Sequence, residues 1–90
     1  MLKLKLYGIC LHKEVREFIT NVKGSVHEMS IVGFNEEHVR QLAQSASGPE
    51  IKYVKKFFKT DTPWLNNKLS TVYPIDVSSD LGSILSQEIF

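Results

Sequence analysis

The amino-acid sequence predicts a single α/β domain, and three observations support this. A short alternating apolar and polar run near the N-terminus indicates a β-strand, and it leads through Gly8 into a segment with apolar residues at helical spacing. A second run, rich in β-forming residues, is again followed by a helical pattern. Ninety residues with 42% apolar content allow one small hydrophobic core. We therefore predict one domain over residues 1–90.

The first strand is predicted from Leu2, Leu4 and Leu6, which alternate with two lysines. The helix that follows carries its apolar residues on one face, namely Leu11, Val15, Phe18, Ile19 and Val22. A left-handed cap is expected at Gly24, because a glycine commonly follows the last periodic residue of a helix. The single cysteine, Cys10, falls where this helix is expected to begin.

A second strand is predicted over residues 26–34, and Asn35 is expected to cap a second helix. The apolar stripe of that helix consists of Val39, Leu42, Ala43 and Ala46. Two strands joined by a crossover helix are normally parallel and right-handed. We therefore predict that strands 2–7 and 26–32 are adjacent and parallel.

The segment from Pro49 to Thr60 has two interpretations, a strand after a Gly-Pro turn or a basic amphipathic helix that begins at the proline. We favour the strand, because a helix would leave the sheet with only three strands. Residues 69–77 predict a further strand, which Pro74 places at a sheet edge. A last helix is predicted from Leu81 to Ile89. The expected fold is β-α-β-α-β-β-α, a mixed four-stranded sheet flanked by three helices.

This order, with a cysteine between the first strand and the first helix, resembles the glutaredoxin branch of the thioredoxin fold. The C-x-x-C motif of that family corresponds here to Cys10-Leu11-His12-Lys13, which keeps the first cysteine and replaces the second with lysine. The cis proline of the family corresponds to Pro49, which follows Gly48. The polar pair that opens the family's last helix corresponds to Ser79 and Asp80.

The resemblance implies thiol-disulfide exchange at a single-cysteine site, with glutathione or a protein disulfide as substrate. Cys10 would be the nucleophile, and the helix start and Lys13 would lower the pKa of its thiol. The resemblance implies that the substrate groove is shaped by Tyr7, His12, Gly48, Pro49, Ser79 and Asp80. Glutathione would serve as co-substrate, with no further cofactor. The alternative is that Cys10 is a small packing residue of the core.

A second interpretation is a thioredoxin-fold module without redox chemistry that binds and modulates a partner protein. Aromatic residues are enriched in interface hot spots. The candidate partner contacts of this module are therefore Tyr53, Phe57, Phe58 and Trp64. Trp64 could instead cover the core. Lysines 52, 55, 56 and 59 lie among these aromatic residues, a pattern that also suits single-stranded nucleic acid. A net charge of only +1 disfavours that partner.

Composition excludes several other classes of site and of cellular location. One cysteine excludes an internal disulfide and a cysteine-rich zinc site, and the three histidines show no ligand spacing, so no metal is expected. No apolar run reaches the length of a membrane span, and the N-terminus does not match a signal peptide. We therefore expect a cytoplasmic protein with no membrane partner. The sequence leaves the oligomeric state open.

Overall fold

The computed structural model describes residues 3–75, which form three strands, three α-helices and one short 3-10 helix. In chain order these elements are β1 (Lys5–Leu11), α1 (Lys13–Ile19), β2 (Glu28–Gly33), α2 (Glu36–Ser45), α3 (Glu50–Phe58), the 3-10 helix (Pro63–Leu65) and β3 (Ser70–Pro74). The predicted last helix, residues 81–89, lies outside the described residues.

The described residues form one antiparallel sheet with strand order β2-β1-β3. Cys10 lies opposite Glu28 on β2, and Leu11 lies opposite Ser70 on β3. The predicted mixed four-stranded sheet of a thioredoxin-like fold is therefore wrong. The prediction that the first two strands are parallel is also wrong.

α1 spans only part of the connection between the first two strands, which are antiparallel. A parallel crossover must carry the chain back along the whole length of the first strand. The seven residues of β1 span about 23 Å, whereas the seven residues of α1 span only about 10 Å. Residues 20–27 do not carry the chain on toward the start of β1, so it enters β2 beside the end of β1, where Cys10 lies opposite Glu28, and runs in the opposite direction.

The segment after Pro49 is a helix, so the favoured strand interpretation is wrong and the helical alternative is confirmed. Pro49 takes a helical backbone conformation and immediately precedes α3. Glu50 and Val54, one turn apart, are both fully buried, and Ile51 and Phe58 are partly buried beside them. Helical spacing thus puts one side of α3 in the core. The helix ends at Lys59, which has a left-handed backbone with φ of 59°.

Glu50 holds the start of α3 against the chain that leads into β2. Its side chain is fully buried, and its two carboxylate oxygens accept the backbone N–H groups of Val26 at 2.8 Å and Gly48 at 2.6 Å. A buried carboxylate requires such donors, because desolvation without them is costly. The pair of bonds therefore fixes where α3 sits.

The core lies on one side of the sheet. Its fully buried apolar residues come from β1, the three helices and the 3-10 helix, and they are Ile9, Leu11, Val15, Ile19, Val39, Ala43, Val54 and Trp64. Side chains alternate along a strand, so Leu6, Gly8 and Cys10 face the other side. Within residues 3–75, no helix covers that second side, which we call the open face. Strand β3 is an edge strand, as Pro74 predicts.

Candidate functional site

Cys10 lies in β1 and not at a helix start. It is half-buried on the open face, between Glu28 of β2 and Thr71 of β3. The helix dipole and first-turn N–H groups that were expected to stabilise a thiolate are therefore not placed around it. Lys13 is the exposed first residue of α1, two residues beyond the end of the strand. Thiol exchange at Cys10 stays a prediction, but the local geometry from which it was inferred is corrected.

His12 is bonded to the β3 region. Its Nδ1 lies 2.9 Å from the Lys68 carbonyl and its Nε2 lies 2.6 Å from the Thr71 hydroxyl. Since a carbonyl only accepts, Nδ1 carries a proton, and in the neutral ring the Thr71 hydroxyl donates to Nε2. The imidazole thus ties the turn before α1 to the start of β3.

Tyr7, Gly48 and Pro49, the other described residues of the expected groove, do not meet around Cys10. Tyr7 packs against the core on the opposite side of β1. The described residues contain no cis peptide bond, so Pro49 is trans, and the Gly48 N–H is bonded to Glu50. Ser79 and Asp80 lie outside the described residues.

Three phenylalanines form a cluster between α1 and α3. The Phe18 and Phe57 rings are stacked, with centroids 4.7 Å apart and an interplanar angle of 28°. Phe58 meets Phe18 edge to face at 5.3 Å. Both arrangements are favourable aromatic geometries. Phe57 and Phe58 were candidate partner contacts from the sequence, whereas Phe18 was predicted only to lie on the apolar face of the first helix.

This cluster remains exposed. Phe18 is 48% exposed, Phe57 is 50% exposed, and Tyr53, one turn before Phe57 on α3, is 38% exposed. Phe58 is partly buried and joins the cluster to the core. Trp64, the fourth aromatic candidate, is fully buried, so it serves as a core residue and is not accessible to a partner.

Lysines border the aromatic cluster. Lys52 and Lys56 lie one turn apart on α3, next to Tyr53 and Phe57, and the Lys56 ammonium is 5.6 Å from the centre of the Phe57 ring. The only carboxylate in α3, Glu50, is buried and bonded to backbone N–H groups. We call Phe18, Lys52, Tyr53, Lys56 and Phe57 the basic-aromatic surface.

Positive charge is concentrated on α3. Residues 51–59 carry four lysines and no acidic residue, while the whole chain has a net charge of +1. The rest of the chain therefore carries a net −3 with histidines neutral. A protein that is nearly neutral overall thus presents a basic helix to solvent, which the whole-chain charge does not reveal.

A second polar feature is organised by Arg40 on α2, which the sequence reading missed. Its guanidinium donates to Glu36 at 3.0 Å, to the Ser70 hydroxyl at 2.8 Å and to the Trp64 carbonyl at 3.1 Å. These bonds join α2, the 3-10 helix and β3 beneath an open polar cleft of about 550 Å³. The i,i+4 spacing of Glu36 and Arg40 is the sequence signal that points to this pair.

On the open face, the Tyr73 hydroxyl donates a hydrogen bond to the Glu28 carboxylate. This bond raises the pKa of Tyr73 above the ordinary 10.0, with smaller contributions from burial and from the negative charge of Glu28. The phenol therefore remains a donor throughout the neutral range. The pairing closes part of the open face over Gly8.

The described residues show neither a metal-ligating cluster nor a membrane-spanning helix. Within residues 3–75, no group of three or more potential metal-ligating side chains comes together. In the same range, no helix has the length and apolarity needed to cross a membrane. A scan against protein-family models, a search of curated proteins and a search of solved structures each found no match to this chain.

Proposed function

We propose that this protein is a binding module that docks an acidic segment of a partner protein on its basic-aromatic surface and thereby modulates that partner. The observation that supports this proposal is the stacked pair of Phe18 and Phe57, half exposed beside Lys52 and Lys56. It retains the partner-binding interpretation of the sequence without the thioredoxin fold.

The exposed rings provide the apolar part of such an interface. Phe18, Tyr53 and Phe57 each leave a third to a half of their surface in water. Burying the remaining apolar area is favourable by about 25 cal/mol per Å². The rings are also held by stacking and by Phe58 beneath them, so little side-chain freedom is lost when a partner binds.

The lysines define the chemistry of the partner. A segment with carboxylates around one or two apolar side chains places negative charge against Lys52 and Lys56 and apolar groups against the rings. Base stacking by nucleic acid is a poorer fit, because Phe18 and Phe57 already stack on each other. We therefore commit to an acidic protein segment as the ligand class.

The test uses a synthetic amphipathic peptide with glutamates flanking leucine and phenylalanine, compared with the same peptide carrying lysine for each glutamate. Binding to the intact chain is followed by ¹H–¹⁵N NMR and isothermal titration. We expect the acidic peptide to shift residues of α1 and α3 and to bind more weakly as salt is raised. Phe57→Ala is expected to weaken binding by about thirtyfold, the scale of an interface hot spot.

Matched controls separate this surface from general charge effects. Lys56→Glu is compared with Lys68→Glu, which changes an exposed lysine in the turn before β3, outside α3. Only the change at Lys56 is expected to abolish binding of the acidic peptide. Equal binding of both peptides, or equal loss in both variants, would refute the proposal. Tighter binding to single-stranded DNA or to anionic lipid vesicles than to the acidic peptide would also refute it.

A further inference from the structure

Strand β2 is a sheet edge whose outer backbone groups face away from the sheet. Among residues 3–75 it pairs only with β1. The Leu11 N–H donates to the His27 carbonyl at 3.0 Å, which continues the β1–β2 ladder by one pair. Hydrogen-bonded and non-hydrogen-bonded pairs alternate in an antiparallel ladder. Because His27 forms a hydrogen-bonded pair with Leu11, the odd-numbered residues of β2 form the backbone hydrogen bonds to β1. Glu28, Ser30 and Val32 therefore direct their N–H and C=O groups outward.

Within residues 3–75, this edge lacks lysine, proline and a covering element, which are features that normally prevent strand pairing. Proteins protect edges with lysine, proline, bulges or a covering element. β2 contains neither lysine nor proline, and its one charged residue, Glu28, is engaged by Tyr73. The opposite edge differs, because Pro74 in β3 has no N–H to offer. The two edges of the sheet are thus unequal, and β2 is the one open to another strand.

We infer that β2 pairs with β2 of a second copy of this chain, antiparallel about a two-fold axis at Ser30. In this register Ser30 lies opposite the same residue of the second copy, and Glu28 lies opposite Val32. Every outward N–H and C=O of these three residues then has a partner. The two three-stranded sheets become one continuous sheet.

The side chains of β2 favour this register. Met29 and Ile31 are half-buried on the core side of the strand, so part of each side chain is open at the edge. The register sets Met29 of one copy opposite Ile31 of the other, in the closely spaced pairs of the ladder, where side-chain contact is strongest. A slip by one residue would set core-side residues against open-face residues and lose this contact.

The interface is small, so a weak dimer is expected rather than an obligate one. Analytical ultracentrifugation of the intact chain, with reductant to keep Cys10 from forming a disulfide, is run from low micromolar to millimolar concentration. We expect the weight-average mass to double over this range. A chain that stays monomeric throughout overturns the inference, even if an extended peptide of another protein pairs with β2.

Charge substitutions at Ser30 test the register directly. Ser30→Lys and Ser30→Glu each place like charges opposite one another at the two-fold axis, so each variant alone is expected to dimerise at least tenfold more weakly. An equimolar mixture places lysine opposite glutamate and is expected to restore association. The same exchanges at Ser45, an exposed residue at the end of α2, are the matched control and are expected to change nothing.

Ser30→Pro provides a second test that adds no charge. Proline there removes an outward N–H and leaves the bonds between β1 and β2 in place, so the fold is kept while the dimer is lost. Far-ultraviolet circular dichroism verifies the fold of each variant. Dimerisation that persists in Ser30→Pro, or a lysine and glutamate mixture that fails to associate, overturns the inference. Both results are independent of the basic-aromatic surface on α1 and α3.

Discussion

The Tyr73 hydroxyl of β3 reaches across the central strand to donate a hydrogen bond to Glu28 of β2. The ring passes directly over Gly8, where any side chain would overlap it. A polar bond thus joins the two outer strands, which have no backbone pairing with each other. The absence of a side chain at one position of β1 is the condition for this bond.

Replacing Gly8 with alanine is expected to lower the free energy of unfolding by about 1–3 kcal/mol, because the new methyl group displaces the Tyr73 ring. Urea unfolding measures the change. In a Tyr73→Ala background the same substitution has no ring to displace, so its cost should fall, and the double-mutant cycle isolates the contact. Equal costs in the two backgrounds would contradict this explanation.

Tyr73 is expected to ionise only at a pH above 10.0, because Glu28 stabilises the protonated phenol. Subtracting the ultraviolet titration of Tyr73→Phe from that of the wild type isolates this residue. Glu28→Gln should bring its midpoint down, because the carboxylate acceptor and its charge are removed. A midpoint that does not move in Glu28→Gln would show that the bond does not form in solution.

The raised pKa of Tyr73 determines how the stability of the fold depends on pH. A pKa raised in the folded state means that the folded protein holds the proton more tightly than the unfolded chain does. The contribution of this bond is therefore complete below pH 10.0 and is lost as the pH rises through the folded-state pKa. Tyr73→Phe should lack this loss at high pH.

Glu50→Gln is expected to destabilise the fold by about 1–3 kcal/mol, because an amide has one acceptor oxygen for two partly buried N–H donors. Its NH₂ group would then face either Val26 or Gly48 without an acceptor. The matched control is Glu17→Gln on the exposed side of α1, which should change the stability by less than about 0.5 kcal/mol. Equal effects of the two substitutions in urea unfolding would refute the structural role of Glu50.

Arg40→Lys is expected to cost about 1–3 kcal/mol although the charge is kept, because one ammonium cannot reach Glu36, Ser70 and Trp64 together. Trp64 is the single tryptophan, so its fluorescence reports on the same region. A shift of its emission to longer wavelength is expected as the 3-10 helix loosens. Arg16→Lys, at an exposed position of α1, is the control and should leave both the stability and the emission unchanged.

Local signals in the sequence were reliable where a single turn of chain determines the structure. Asn35 caps α2 as predicted, with its side-chain oxygen accepting the His38 N–H at 2.8 Å. Gly24 has the predicted positive φ, at 80°, although α1 ends earlier, at Ile19. Pro74 correctly marked an edge strand. In each case the deciding chemistry lies within a few residues.

Longer-range features were not predictable in the same way. The direction of β2 depends on the path of the whole connection through residues 12–27, and the apolar stripe through Val22 predicted a longer helix than the one that forms. The helix after Pro49 was one of the two patterns that the sequence allowed, and its first residue, Glu50, accepts the backbone N–H of Val26 from 24 residues away. Local sequence preference reveals neither the path of the connection before β2 nor this contact.

The residues of the candidate site were predicted only in part, because the sequence identifies apolar faces but not which residues are buried in the fold. Phe57 and Phe58 were identified from composition and spacing, and they lie in the cluster between α1 and α3. Phe18 was predicted on the apolar face of the first helix but is 48% exposed, because periodicity identifies a face and not how deeply each of its residues is buried. Trp64 shows the converse, since a tryptophan in a polar loop can still be fully buried when the loop folds over the core.

The position of β1 at the centre of the sheet sets an order of events for the chain as it is made. Both outer strands pair with β1 and not with each other. Leu11 can pair with Ser70 only after all of the chain between them has been synthesised. Closing so long a loop is slow compared with forming the nearby β1–β2 hairpin-like unit. β1 is synthesised before β3, so one side of β1 stays without its β3 partner until β3 emerges, a period in which that side is open to pairing with other chains.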